Sequence, residues 1–492
     1  MPDSAKRPPF YALDARSLAV ARIALGSLLL LDLALRTADL RAHYTDAGVL
    51  PRALVPPGTW DVGWSLHRLG GGTPFEAALF GVHALLALGM VLGWRTFWTT
   101  AGTALLTISL HGRNPLLRDG QDDLVRVLLV WATLLPWGAR WSLDARAGKA
   151  WHPLGLPSGA LVASPAAAGY VLQLVLVYWS SAVAKLESSW WRSGEALSLA
   201  VSISRYETPL GQWLLGFPAF LPALSYAALG FELLAPLLVL AGPRPRWRLA
   251  LVGGFWALHI AMALILRLGL FPPIAVAAWS ALLPGTVWPA RAEASATPGI
   301  ETPRTRLVGW ALVSTLLVLV ALFNVTYLWP RGTGTRLAPV QATARALGLQ
   351  QYWSVFSPPW WTQGARVDGW FSVEGDRPDG HTLELLTGGG EPARTRPAVG
   401  SDRFPNRRWR HWAAAMMEEW PRGTVQRRTV EEARLATIRW WCGEWNAGHA
   451  AEPVQLVRLV WMRQRLGHPE DPPDRRLLAQ ALCAPVPSVA GR

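Results

Sequence analysis

Apolar stretches alternate with short polar ones over the first two thirds of the chain, at residues 17–35, 75–94, 96–111, 124–138, 166–185, 219–241, 249–270, 272–289 and 307–328. They approach or exceed the roughly 18 to 20 residues needed to cross a hydrocarbon core. A soluble core needs no such runs. After Trp329 the pattern changes: Pro330, Gly332 and Gly334 read as a linker, and no later apolar run is long enough to span. Residues 367–373 and 381–386 alternate like strands around the turn signal Asp379-Gly380, while 407–420 and 429–446 read as tryptophan-rich helices. The predicted fold is a polytopic α-helical membrane protein of about nine transmembrane helices with a small C-terminal α+β soluble domain. The expected divisions are a transmembrane domain at 16–329, a soluble domain at 337–468 and a disordered tail at 469–492.

Composition strengthens this picture. Of 492 residues 51% are hydrophobic and only 16% charged, against about 25% charged in soluble domains. The net charge of +14 would point to nucleic acid in a soluble protein, but here the arginines gather at the ends of apolar runs. That makes the lipid bilayer the expected partner and excludes nucleic acid. Arg140, Arg146 and Lys149, then Arg244, Arg246 and Arg248, then Arg291, Arg304 and Arg306 fall on alternate loops, together with the basic N-terminus. The positive-inside rule makes that side cytoplasmic, and an odd number of spans then places the C-terminal domain outside. The first run is too long for a signal-peptide core, contains Arg22 and Asp32, and is followed by no cleavage site, so it reads as a retained span. Cys442 and Cys483 permit one bridge at most.

Ionisable groups inside lipid-embedded helices are costly and face the bundle interior. The candidates are Arg22, Asp32, His83, Glu232 and His259. Arg22 and Asp32 stand about 15 Å apart along one helix, too far to pair with each other. Lys185 is the most informative: of 47 basic residues only Lys6, Lys149 and Lys185 are lysine. A chain that otherwise uses arginine has a lysine where deprotonation matters, because a desolvated amine can act as a base and guanidinium cannot. The competing reading is an amine snorkelling to the interface. Ser181 and Tyr178 share its helical face at i−4 and i−7 and would line one polar pocket with it. Glu232, four residues before Pro236, fits a kinked helix lining a cavity. His259 is a hydrogen-bond partner between helices or a ligand, yet no pair of intramembrane histidines has the i, i+3 or i+4 spacing of a metal site, so no metal is expected.

Several strings, in order, resemble the vitamin K-dependent γ-glutamyl carboxylases and their bacterial relatives, the HTTM proteins. Residues 173–194, QLVLVYWSSAVAKLESSWWRSG, resemble the family's span with Gln173, Tyr178 and the lysine before leucine; Arg22-x3-Gly26-x5-Asp32 and YTDAGVLPR at 44–52 are similar to its first span and following loop. Trp141-Ser142-Leu143-Asp144, Glu232, and His259 followed by Gly269 and Phe271 continue the likeness over about residues 16–290, and QYWSVFSP at 351–358 extends it loosely. The resemblance implies a lyase-type enzyme of the bacterial inner membrane. Its lysine, here Lys185, deprotonates reduced vitamin K or another quinol, whose reaction with oxygen drives carboxylation of a glutamyl side chain with carbon dioxide. It also implies a quinone pocket formed by Gln121, Tyr178, Ser181, Glu232 and His259, a protein or peptide substrate, and no metal. Two positions depart from the family: Gln121 stands where animal carboxylases have a histidine, and Ala184 replaces the first of two adjacent lysines. A non-enzymatic scaffold, or a lipid- or quinone-binding protein of the same fold, is the alternative.

Overall fold

The computed structural model describes residues 8–55, 63–155, 160–240, 242, 244–289, 303–328, 337–357, 367–397, 400–418, 424–468 and 470–484. Pro330, Gly332, Gly334, Arg291 and Pro358 lie outside them. Each expected span overlaps a helix, in part only at 124–138 and 272–289: α1 (Ala15–Thr37), α2 (Thr73–Leu92), α3 (Thr96–Arg113), α4 (Gly120–Leu134), α5 (Pro165–Glu187), α6 (Leu221–Leu240), α7 (Pro245–Ile265), α8 (Phe271–Ser280) and α9 (Pro303–Leu328). Among the described residues, α1, α2, α5, α6, α7 and α9 are long and apolar enough to cross a membrane, which marks a membrane-embedded protein. The other three are shorter or more polar. Helix α3 buries Thr99, Thr100, Thr103, Thr107, Ser109 and His111, so its polar side chains are sheltered within the bundle. Helix α8 ends after 10 residues, and Pro284 follows soon after.

Local sequence fixes the helix starts. Asp119 caps α4 by accepting from the backbone of Gln121 at 3.0 Å and Asp122 at 3.3 Å, and Asp122 reciprocates. Ser164 caps α5, with Pro165 in its first turn, where a missing N–H costs nothing. Helix α1 packs on α2 and α8, and α5 contacts α4, α6 and α9. Outward leucines on the rim, Leu85, Leu234 and Leu264 among them, are more than half exposed. In a bilayer these are the lipid-facing positions, where the backbone of the helix interior is satisfied within its own helix.

The C-terminal part is an antiparallel sheet covered by helices. Strands β1 (Val367–Asp376), β2 (Thr382–Glu384), β3 (Leu456–Arg465) and β4 (Asp474–Leu482) pair in the order β2-β1-β3-β4. Gly380, at φ +86°, makes the turn between the first two. Helices α10 (Arg407–Met417) and α11 (Val425–Gly448) bury Trp412, Met416, Val430 and Ile438 against Phe371, Val373, Val457 and Leu459. The same apolar cluster continues into Leu116 and Leu117, between α3 and α4, so the two domains share a core. Residues 485–492 lie outside the described residues, and the expected disordered tail at 469–492 needs correction within 470–484: Asp474–Leu482 is an edge strand, and Cys483 bonds Cys442 of α11. Its polar alternation, DRRLLAQAL, is that of a strand with one solvated face.

Candidate functional site

Helix α5 presents Tyr178, Ser181 and Lys185 along one stripe, and three other helices bring their partners. The Lys185 Nζ donates to Glu232 Oε2 on α6, and Ser181 Oγ donates to the same oxygen at 3.2 Å. The ammonium lies 4.6 Å from the ring centroid of Trp191, a cation–π contact. Lys185 is 5% and Glu232 6% exposed. The amine is thus turned inward to a carboxylate. Two turns from Lys185 along α5, Trp279 Nε1 on α8 donates to the Tyr178 hydroxyl at 2.8 Å, and that hydroxyl meets His259 Nε2 of α7 at 2.6 Å. Phe255 stacks on Trp279 at 3.7 Å and closes this cluster. His259 Nδ1 is buried without a hydrogen-bond partner, which in an apolar interior is costly unless a ligand or water meets it.

Gln121 lies elsewhere. Its amide donates to Asp32 Oδ1 at 3.0 Å, and its carbonyl oxygen accepts from Leu270 N at 2.9 Å and from Arg407. Leu270 is followed by Phe271, whose ring lies 5.6 Å from that of His259 in the first cluster. Gln121 instead belongs to a charge network that sequence reasoning missed. Arg408 of α10 donates to Asp122 at 2.6 and 2.9 Å, to Asp32 at 3.0 Å and to Leu117 O at 3.0 Å. Arg36 donates to Asp32 and to Asp122, each at 2.6 Å, and to the Tyr44 hydroxyl at 2.9 Å. Arg407 and His411 meet Asp119. Burial and the adjacent Arg407 push His411 well below the ordinary histidine range, so it serves as a neutral donor. The available signals were the string RRWRHW at 407–412 and the acidic start of α4, Asp119, Asp122 and Asp123. Arg22 and Asp32 do not pair, and Arg22 instead donates to Trp137 O at 3.1 Å and Trp141 O at 2.5 Å. His83 bonds Thr107 across α2 and α3 at 3.1 Å.

A cavity of about 700 Å³ opens between the ends of the membrane helices and the sheet domain. Its walls include Gln121, Arg407, Trp190, Phe271, Phe356 and Trp461. Of the six predicted site residues only Gln121 lines it. His259 stands one layer behind, since Phe271 packs on it, and Lys185 stands deeper, behind Trp191, whose Nε1 donates to the wall residue Phe356 O at 2.8 Å. Among the described residues no group of three or more His, Cys, Asp or Glu is placed to hold a metal ion. No family model, curated protein or solved structure matches the chain.

Proposed function

We propose that the chain is a quinol-dependent bacterial inner-membrane enzyme of the HTTM and γ-glutamyl carboxylase type, with about nine spans, in which Lys185 is the base. The observation that carries this is the inward-facing Lys185–Glu232 pair, linked through Trp191 and Phe356 to a cavity with aromatic and charged walls. Glu232, hydrogen-bonded to the amine, is the group placed to accept a proton from it, with Ser181 holding the carboxylate in place. The residues present fit a reduced quinone: the cavity size is that of a small-molecule site, Trp190, Phe271 and Phe356 offer ring faces, and Gln121 and Arg407 on its wall offer polar groups. When bound, the quinol would supply the reduction of oxygen that drives carboxylation of a glutamyl side chain with carbon dioxide. Tyr178 and Trp279 fix the His259 ring.

A second reading, a non-enzymatic scaffold or quinone-binding protein, has its own support. Gln121 is held by Asp32, Leu270 and Arg407, and an amide cannot replace a histidine in proton transfer. The deciding experiment incubates purified protein with reduced naphthoquinone, oxygen, labelled bicarbonate and a glutamate-containing peptide, following epoxide and carboxylated peptide separately. Both products support the enzyme. Epoxide alone leaves quinol chemistry without carboxylation, and quinone binding with neither product favours the scaffold.

A further inference from the structure

At the end of the membrane domain opposite the sheet domain, the α2–α3 turn and residues 143–151 enclose a cleft of about 760 Å³. Helix α3, 18 residues long and so about 27 Å, separates it from the loops that touch the sheet domain. Three cations line it: Arg95, Arg146 and Lys149. All three are exposed, and none forms an ion pair among the described residues. The one acid in the cleft, Asp144, is already engaged. Its carboxylate accepts from Arg95 N at 2.8 Å and from Thr96 N and Oγ1 at 2.7 Å each, capping α3. The cleft therefore carries surplus positive charge.

The surroundings distinguish a lipid from a soluble anion. Trp94, Trp98 and Trp151 also line the cleft and are 55%, 62% and 56% exposed. Large exposed indoles at the ends of spans lie at the headgroup level of a bilayer. From the cleft an outward ridge runs along α2 through Leu92, Leu88 and Leu85, residues that share a helix face. On α3, Leu105 continues the face of Trp98. A basic cleft leading into two apolar ridges has the form of a headgroup with its acyl chains. We propose that this cleft binds the headgroup of an anionic phospholipid in the leaflet at this end of the bundle. The site is independent of the chemistry assigned to Lys185.

The test counts lipids retained by the full-length protein in native mass spectrometry, after purification with phosphatidylglycerol or with phosphatidylcholine. The triple variant Arg95→Gln, Arg146→Gln, Lys149→Gln should lose phosphatidylglycerol affinity on the order of 100-fold. Phosphatidylcholine binding should not change. The control Arg244→Gln, Arg246→Gln alters exposed charges on another loop at the same end and should behave as the parent. Lys149→Glu, a single exposed reversal, gives a second variant if the triple fails to fold. Equal losses in the control would overturn the site in favour of diffuse surface attraction. Undiminished phosphatidylglycerol binding by the variants would overturn it directly, and displacement of the lipid by equimolar glycerol phosphate would reassign the cleft to a soluble anion.

Discussion

Charge and basicity separate at Lys185. Arginine in its place would keep a cation beside Glu232 but could not release a proton at working pH. If the lysine is a base, Lys185→Arg should abolish oxygen-dependent quinol turnover while the detergent melting temperature stays near that of the parent. Small primary amines should partly restore turnover to Lys185→Ala. An active Lys185→Arg protein would remove the catalytic assignment. The shared face of Tyr178, Ser181 and Lys185 was legible because helical spacing dictates it. The pairing of Lys185 with Glu232 was not, since nothing in local spacing says that α5 packs on α6. Gln121 was placed in the pocket by position, yet Arg407, 286 residues later, holds it in the neighbouring charge network. A buried histidine outside the spans supplies a pH test. Burial, followed by the charges of Arg408 and Arg36, lowers His43 from 6.5 to about 3. The folded value lies below the unfolded one, so the contribution of neutral His43 is complete above pH 6.5 and is lost as the pH falls toward 3. His43→Phe should flatten the acid side of the stability profile measured by thermal unfolding.

Elements join the two domains through α10. Arg408 inserts between Asp32 and Asp122, and all three side chains are buried or nearly so. Removing one member of a buried cluster orphans the others at about 3 to 5 kcal/mol. Arg408→Ala should therefore lower the melting temperature and expose the α9–β1 connection to protease, whereas a parent-like protease pattern would show that the shared apolar core suffices to hold the domains. Sequence showed α10 as a tryptophan-rich helix but not that its arginines are buried, because their acidic partners belong to distant helices. Strand β4 was missed for a related reason: an edge strand with one wet face carries too little apolar signal to distinguish it from a tail. The disulfide anchors it. Cys442 and Cys483 are 41 residues apart, and closing a loop of that size restricts the unfolded chain by about 4 kcal/mol. The double variant Cys442→Ser, Cys483→Ser should melt earlier and be cut first within 474–482, as limited proteolysis with mass mapping would reveal.

For the whole molecule the open choice is which way it sits in the membrane, and three observations favour one orientation. The ends of α2, α7 and α9 remote from the sheet domain carry Arg95, Arg244, Arg246, Arg304 and Arg306, and basic residues are retained on the cytoplasmic side. The sheet domain holds a disulfide, which persists in oxidising compartments. The chain also enters α1 from a basic N-terminus and reaches the sheet domain at the far end of α9, as an odd number of crossings requires. The shorter α3, α4 and α8 bear on that parity, because discounting a single one would reverse it. A phosphatase that folds only outside the cytoplasm, fused after Arg492, should therefore be active, and a fluorescent protein that matures only inside should stay dark. The opposite pair of results would put the sheet domain in the cytoplasm. It would then require an even number of crossings or an outside N-terminus, and would leave the disulfide in a reducing compartment where it could not persist.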